Sequence, residues 1–204
     1  MLSGYRFVAL ALLLVFSGGA AHAQSNFSFR IGATAIEDPA GTLNYGPNVG
    51  FGGKFNIMDL IRVRGQFDVD RVLLTDIRLP DFEGEETHTY VCLGAGLEFV
   101  AGTEDLHFIL NAVPHGAIRT NVRTIADADS NLRVSTLTRF SMGMVMGAGG
   151  EFYLTNNIGF EALFQYVIFN FDQTELEPMN TGFRATLGMQ FYLGLNYVRP
   201  TAAP

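Results

Sequence analysis

The sequence predicts an all-β protein, an eight-stranded antiparallel up-and-down β-barrel, and three observations support this fold class. Apolar and polar residues alternate along eight successive segments, and a period of two indicates β-strands whose side chains point to opposite faces. The connections between the segments alternate between short and long. Phenylalanine recurs at the same end of seven of the eight segments, always on the apolar face. Together these regularities predict a closed sheet with an apolar outside and a polar inside.

The eight strands are predicted near residues 26–36, 46–57, 60–73, 88–100, 105–118, 138–154, 157–171 and 182–194. The third shows the alternation best, since Val63 and Phe67 fall on one face and Arg64 and Asp68 on the other. Three connections are short, around 56–59, 101–105 and 155–157, and four are longer, at 37–45, 74–87, 119–137 and 172–181. Short turns at one end and long loops at the other are typical of outer-membrane barrels, whose short turns face the periplasm.

The N-terminus has the features of a removable export signal. Arg6 supplies a positive charge, residues 7–16 form an apolar run, and Ala21-His22-Ala23 matches a small-residue cleavage site. The apolar run is shorter than the roughly 20 residues that a transmembrane helix needs. We therefore expect a signal peptide over residues 1–23 and an outer-membrane β-barrel domain over residues 24–204.

Composition indicates how the exported chain meets a membrane. Hydrophobic residues make up 48 % of the sequence and 18 residues are phenylalanine, yet no later apolar run is long enough for a spanning helix. In hydrocarbon every backbone N–H and C=O must be paired internally, which a closed barrel achieves because it has no free edge. Cys92 is the only cysteine, so no intrachain disulfide can form. These observations predict localisation in the outer membrane.

The phenylalanines support an apolar face turned outward. Aromatic rings favour the boundary between lipid tails and headgroups, and membrane barrels carry aromatic girdles there. The predicted girdle at the short-turn end contains Phe27, Phe55, Phe99, Phe108, Phe152, Phe160 and Phe191. At the opposite end, Tyr45, Phe140 and Phe183 can contribute. A soluble barrel that binds a ligand would require the opposite orientation, with these rings inside.

The polar face is the predicted lining of the lumen, and it carries both signs of charge. Its charged members are Arg30, Lys54, Arg62, Arg64, Asp68, Asp70, Glu98, Arg119, Arg139, Glu151, Glu161 and Arg184. The interior of an eight-stranded barrel is just wide enough for side chains to fill it, and an unpaired charge there is costly. We expect a polar network of ion pairs, in which Arg62 or Arg64 pairs with a carboxylate such as Asp68 or Glu161. Glycines on the same face make room for the long side chains, and no continuous water channel is expected.

The chain resembles the small eight-stranded outer-membrane β-barrels, namely the OmpA transmembrane domain, OmpX and the opacity-type proteins. Assembly machinery for such barrels recognises a last-strand signal of polar–x–Gly–x–x–aromatic–x–hydrophobic residues, and Thr186, Gly188, Phe191 and Leu193 fit this spacing. The resemblance implies a Gram-negative cell envelope. It also implies three partners: outer-membrane lipid, lipopolysaccharide and the barrel-assembly machinery.

Catalysis, cofactors, metals and nucleic acids are not expected. Some relatives are lipid A acylases or deacylases, which need a Ser–His arrangement open to lipid, whereas His88 lies near the loop end and Ser141 on the lumen face. His107 and His115 are roughly 27 Å apart along one strand, too far to share a metal. The formal net charge is −7 and the basic residues form no patch, so nucleic acid is not a predicted partner.

Three functions are compatible with the sequence, and the favoured one is a structural or surface-interaction barrel acting through its extracellular loops. Its surface ligand is not identified by the sequence. The alternative is a small OmpW-like transport barrel that passes hydrophobic molecules through a lateral gap. Pro114 could mark such a gap, because proline cannot donate a hydrogen bond to a neighbouring strand, and a bulge or register shift is expected near Val113–His115. The third function is the soluble exported barrel.

Overall fold

The computed structural model describes residues 25–37, 42–58, 60–79, 82–103, 105–126, 132–155, 157–171 and 181–193. These contain eight β-strands: β1 (Ser25–Glu37), β2 (Leu43–Met58), β3 (Ile61–Leu79), β4 (Phe82–Gly102), β5 (Leu106–Ala126), β6 (Leu132–Tyr153), β7 (Ile158–Ile168) and β8 (Thr181–Leu193). The predicted signal peptide lies outside the described residues. Within the described ranges, no helix is long and apolar enough to cross a membrane.

Each strand pairs in antiparallel fashion with the next, and β8 pairs back with β1 to close the barrel. The predicted fold class is therefore confirmed. Successive register partners that start at Asn56 on β2 pass through Arg62 on β3 and Glu98 on β4 and return to β2 at Gly46. This displacement along one strand shows that the strands are tilted relative to the barrel axis, as closure requires.

The apolar face of every strand points away from the barrel axis. On β3, Phe67 is 38 % exposed, whereas Arg64 and Asp68 are 0 % and 1 % exposed. Phe27 and Phe191 are 44 % and 39 % exposed. A soluble ligand-binding barrel would have these aromatic rings inside, so that alternative is wrong. Charged side chains fill the interior, and the apolar residues lie on the outer surface.

Four strands are longer than the sequence predicted. Residues 74–79, 82–87, 119–126 and 132–137 were expected in the loops 74–87 and 119–137, but they continue β3, β4, β5 and β6. Pairing of β3 with β2 ends at Asp70, and pairing of β6 with β7 begins at Met144. Beyond those residues the four strands pair with one another and form a four-stranded extension. Alternate residues of the extension stay buried as far as Leu74, Glu86 and Asn121, whereas residues 134–140 of β6 are all exposed.

Pro114 does not introduce the bulge that was expected near Val113–His115. The ladder between β4 and β5 lacks two pairs there, but Gly94 opposite His115 and Leu97 opposite Ala112 keep the same register. Pro114 points outward and its two neighbours point inward, so the alternation is unbroken. The missing N–H removes local hydrogen bonding without adding a residue to the strand.

Candidate functional site: the charged lumen

The short-turn half of the lumen holds a lower ionic network of six charged side chains. It consists of Lys54, Arg62, Arg64, Glu98, Glu151 and Glu161, each at most 3 % exposed. Arg64 bonds both oxygens of Glu161 at 2.9 Å and donates to Glu98 at 2.6 Å. Arg62 donates to Glu151 at 2.6 Å. Lys54 contacts all three glutamates, including Glu98 at 3.1 Å. Three cations thus neutralise three carboxylates.

Polar neighbours complete this network at the short-turn end. Gln190 donates to Glu161 at 2.9 Å, and the Tyr192 hydroxyl donates to Glu151. Arg62 donates a hydrogen bond to the hydroxyl oxygen of Tyr153 at 3.2 Å. The rings of Tyr153 and Tyr192 stack with their centroids 5.0 Å apart. These hydrogen bonds use donors and acceptors that the ion pairs do not satisfy. Such additional hydrogen bonds reduce the cost of burying the charged groups.

A second group, the upper ionic network, consists of Arg30, Asp68, Asp70 and Arg184, each at most 1 % exposed. Asp68 accepts from Arg30 at 3.0 Å and lies 3.1 Å from a guanidinium nitrogen of Arg184. Arg184 also bonds both oxygens of Asp70, at 3.1 and 2.5 Å. Thr34 and Asn48 donate to the same carboxylate. Two cations and two carboxylates therefore balance here as well.

Glycines make the space that these long side chains need. A Cβ at Gly188 would lie 2.7 Å from Cγ of Arg30, and one at Gly50 would lie 2.3 Å from Oδ1 of Asp68. Any larger residue at either position would displace the side chains of the upper network. At these two positions, glycine therefore makes room for the long charged side chains, as the sequence predicted.

Above the upper network, a layer of apolar side chains, here called the apolar cap, lies in the lumen towards the extension. Its ten buried residues are Ile36, Val72, Leu74, Tyr90, Cys92, Val113, Ala117, Val145, Val167 and Phe169. The rings of Tyr90 and Phe169 stack across the mouth with centroids 4.0 Å apart. Sequence reasoning missed this layer, because Leu74 was assigned to a loop and the inward-facing valines were outnumbered by polar residues of the same parity.

At the base of the extension, Glu86 and His88 form a polar rim over the cap. Glu86 lies 3.1 Å from His88 and 3.0 Å from Arg123, and the second ring nitrogen of His88 is 3.2 Å from the Tyr90 hydroxyl. Glu86 is roughly 43 Å along the strand from the girdle residue Phe99. Because the strands of such barrels are tilted by roughly 35–45°, this is about 33 Å along the membrane normal, farther than the roughly 25 Å apolar band. Burial works against ionisation of Glu86, but its bond with His88 and the nearby charges lower its pKa.

All nine residues of the predicted polar network lie in the lumen, divided between the two networks: Arg30, Arg62, Arg64, Asp68, Asp70, Glu98, Glu151, Glu161 and Arg184. Arg64 pairs with Glu161, as expected, whereas Asp68 pairs with Arg30 and Arg184. Arg139, by contrast, is exposed, because its part of β6 belongs to the extension. Tyr153 and Tyr192 were not predicted; their inward parity on β6 and β8 is the signal that could have found them.

The four residues of the proposed assembly signal lie on β8, two on each face of the strand. Thr186 and Gly188 face the lumen, while Phe191 and Leu193 are 39 % and 61 % exposed on the outer wall.

Ser141, considered for catalysis, donates its hydroxyl hydrogen to the carbonyl of Phe169 at 2.8 Å. Among the described residues, no cluster of three or more His, Cys, Asp or Glu side chains could hold a metal ion.

Comparison with known proteins agrees with this architecture. The family model for the outer membrane protein β-barrel domain matches residues 8–191. Among solved structures, Ail, the attachment invasion locus protein of Yersinia pestis, in complex with the heparin analogue sucrose octasulfate, is similar with a TM-score of 0.56 and 13 % identity, over 84 % of this chain and 99 % of that one. Neisserial surface protein A is similar with a TM-score of 0.52 and 14 % identity, over 83 % and 98 %. Among curated protein sequences, none matches this chain.

Proposed function

Because this chain belongs to the outer-membrane protein β-barrel family, we propose that it serves as a structural and surface-interaction barrel with a closed lumen. The protein lies in the outer membrane. The observation that carries the proposal is the filling of the lumen by two charge-balanced ionic networks and an apolar cap. A barrel whose interior is occupied in this way acts through its outer surface. Its N-terminal residues 1–23 serve as the export signal.

The extension of β3 to β6 supplies that surface. It continues the membrane wall outward on one side of the barrel, and it carries exposed apolar side chains such as Val134 at 65 % and Leu137 at 44 % exposure. Exposed apolar residues on a rigid sheet favour contact with another molecule. The same fold occurs in an attachment invasion locus protein and in a surface protein, which is the class of role proposed here. No catalytic step is part of the proposal.

A closed lumen predicts that the purified protein does not conduct ions. In planar bilayers, we expect no steady channel openings at the concentrations at which an open porin gives well-resolved steps. The reason is that the carboxylates and cations of both networks are already paired across the lumen and leave no continuous water path. Reproducible openings of the wild-type protein, absent from a mock purification, would contradict the closed lumen.

The orientation of the barrel predicts which engineered cysteines are accessible on intact cells. A Thr136→Cys variant places a thiol on the exposed part of β6 in the extension, and Thr155→Cys places one in a short turn. We expect a membrane-impermeant thiol reagent to label the first variant on intact cells and the second only after the outer membrane is permeabilised.

Native Cys92 is the built-in control for this labelling, since it is the only natural cysteine and is 2 % exposed. The wild-type protein should therefore remain unlabelled until it is denatured. Labelling of Thr155→Cys on intact cells, with Thr136→Cys protected, would mean that the extension faces the periplasm and that the proposed surface role is wrong.

We further propose that Thr186, Gly188, Phe191 and Leu193 on β8 are read by the barrel-assembly machinery. Their arrangement supports this role, because the polar and glycine positions face the lumen and the aromatic and aliphatic positions face lipid. Lipid and lipopolysaccharide are the partners that the exposed apolar belt would meet in the membrane.

A further inference from the structure

Three methionines occupy alternate positions on the outer face of β6. Met142 and Met146 are exposed and Met144 is half-buried, while Gly143 and Val145 between them point into the lumen. We call Met142, Met144 and Met146 the methionine ladder. Neither the ionic networks of the lumen nor the surface of the extension makes use of these three side chains.

The neighbouring strand β5 leaves space beside the methionine ladder. A Cβ at Gly116 would lie 3.9 Å from Sδ of Met142 and 3.1 Å from Cε2 of Phe140, so the thioether and the aromatic ring both lie next to this glycine. On β5, the register partners of Met142, Met144 and Met146 are Gly116, Pro114 and Ala112. On β7, the partners of Met144 and Met146 are Ile168 and Tyr166. Because no β5 partner has a long side chain, the methionines can change conformation on that side without displacing a neighbour.

The spacing of the ladder lets its three sulfur atoms approach one point. Alternate residues of a strand are roughly 6.7 Å apart, so Met142 and Met146 each lie about that far from Met144. A methionine side chain is unbranched and has three rotatable bonds, which allows both outer side chains to turn towards the central one. Thioether sulfur is a soft ligand that favours Cu(I), whereas Mg²⁺ and Ca²⁺ require oxygen ligands. The ladder is therefore suited to a soft ion and unsuited to the common divalent cations.

The ladder lies near one boundary of the apolar band. Met142 and Met146 are ten and six residues along β6 from the girdle residue Phe152. With a strand rise of about 3.3 Å and a tilt of about 40°, these separations correspond to roughly 25 Å and 15 Å along the membrane normal. Since the apolar band is roughly 25 Å tall, Met142 lies close to the headgroups on the side of the extension. A charge near this boundary is much less costly than a charge at the centre of the bilayer, and an ion can enter from the aqueous phase on that side.

We infer that the methionine ladder binds one soft monovalent metal ion, of the class of Cu(I) and Ag(I), through the thioether sulfurs of Met142, Met144 and Met146. All three ligands are neutral, so a monovalent ion leaves a single charge at the site, whereas a divalent ion would leave two. The ring of Phe140 beside Met142 adds an aromatic face, which attracts cations. The ion binds without a change of oxidation state. Binding at this outer face does not depend on a closed lumen.

The inference can be tested on the wild-type protein by nuclear magnetic resonance in detergent micelles, with the methionine methyl groups labelled with carbon-13. The probe is Ag(I) in chloride-free buffer, because it is a soft monovalent ion that air does not oxidise. We expect an equimolar amount to shift the methyl resonances of Met142, Met144 and Met146. Met58 and Met189 are the internal controls, since both are exposed and neither has a methionine as a register partner. Their resonances should stay in place.

Two variants identify the ligands by equilibrium titration with Ag(I), both in a Cys92→Ala background that removes the only thiol. Met144→Leu removes the central thioether with little change of volume. It should weaken binding by about tenfold or more, since losing a group that only orients a metal ligand already has that effect. Met189→Leu, the matched control, should bind as tightly as the Cys92→Ala parent. Equal affinities of the two variants, or ladder resonances that shift no more than those of Met58 and Met189, would overturn the inference.

Discussion

Replacing Arg64 with methionine is expected to destabilise the barrel by about 3–5 kcal/mol, the typical cost of removing one partner from a buried ion pair. Arg64 is fully buried and holds Glu161 through two hydrogen bonds and Glu98 through a third. The variant would leave three carboxylates in the lower network with two cations. The measurement is urea unfolding in micelles, followed by the change in gel mobility between folded and unfolded protein.

Arg71→Met is the matched control, since Arg71 lies on the same strand but is exposed. Its unfolding midpoint should stay close to that of the wild type. A double variant, Arg64→Met with Glu161→Met, restores the charge balance of the lower network, so it should lose less stability than the two single variants added together. If Arg64→Met unfolds at the wild-type urea concentration, the lower network is hydrated and the account of a sealed lumen fails.

A single added methyl group at Gly96 is expected to destabilise the barrel by about 1–3 kcal/mol, the usual cost of overpacking. The Cβ of a Gly96→Ala variant would lie 2.1 Å from the carbonyl oxygen of Ala112 and 2.6 Å from Cα of Val113. Both are backbone atoms of the neighbouring strand, so the strands themselves must move apart. The same unfolding assay measures the effect.

Gly65→Ala provides the comparison, because Gly65 lies on the neighbouring strand one residue from the partner of Gly96. Its added Cβ would meet nothing closer than 3.9 Å. We expect this variant to be neutral or stabilised by up to about 1 kcal/mol, through the lower entropy of its unfolded chain. Equal stability losses in the two variants would show that glycine is required for its backbone and not for the close approach of β4 and β5.

The membrane-spanning part of the fold could be predicted from the sequence because lipid and lumen impose opposite demands on alternate residues. Arg64 and Phe67 differ in parity, and that difference alone assigns one to the lumen and the other to the wall. Outside the membrane this constraint disappears. The strand residues 119–126 and 132–137 therefore gave no clear signal of a strand, and their basic and polar residues, such as Arg119, Arg123 and Arg133, favoured a loop.

The contents of the lumen were predictable, but the pairing of its charges was not. Parity places Asp68 inside, yet it cannot say that Arg30 and Arg184, which come from β1 and β8, reach it. Those contacts depend on the tilt of the strands, which brings residues distant in sequence to one level. Pro114 is a case in which a local rule failed. The rule that proline disrupts pairing predicted a bulge, but the β4–β5 pairs on both sides of Pro114 keep the same register.

The cancellation of charge inside the barrel decides how the molecule responds to ionic strength. Five cations and five carboxylates offset one another in the two networks, so the formal net charge of −7 belongs to the remainder of the sequence. Mobile counterions screen surface charges strongly and enclosed pairs only slightly. Added salt is therefore expected to weaken interactions of the surface charges and to leave the stability of the barrel itself nearly unchanged.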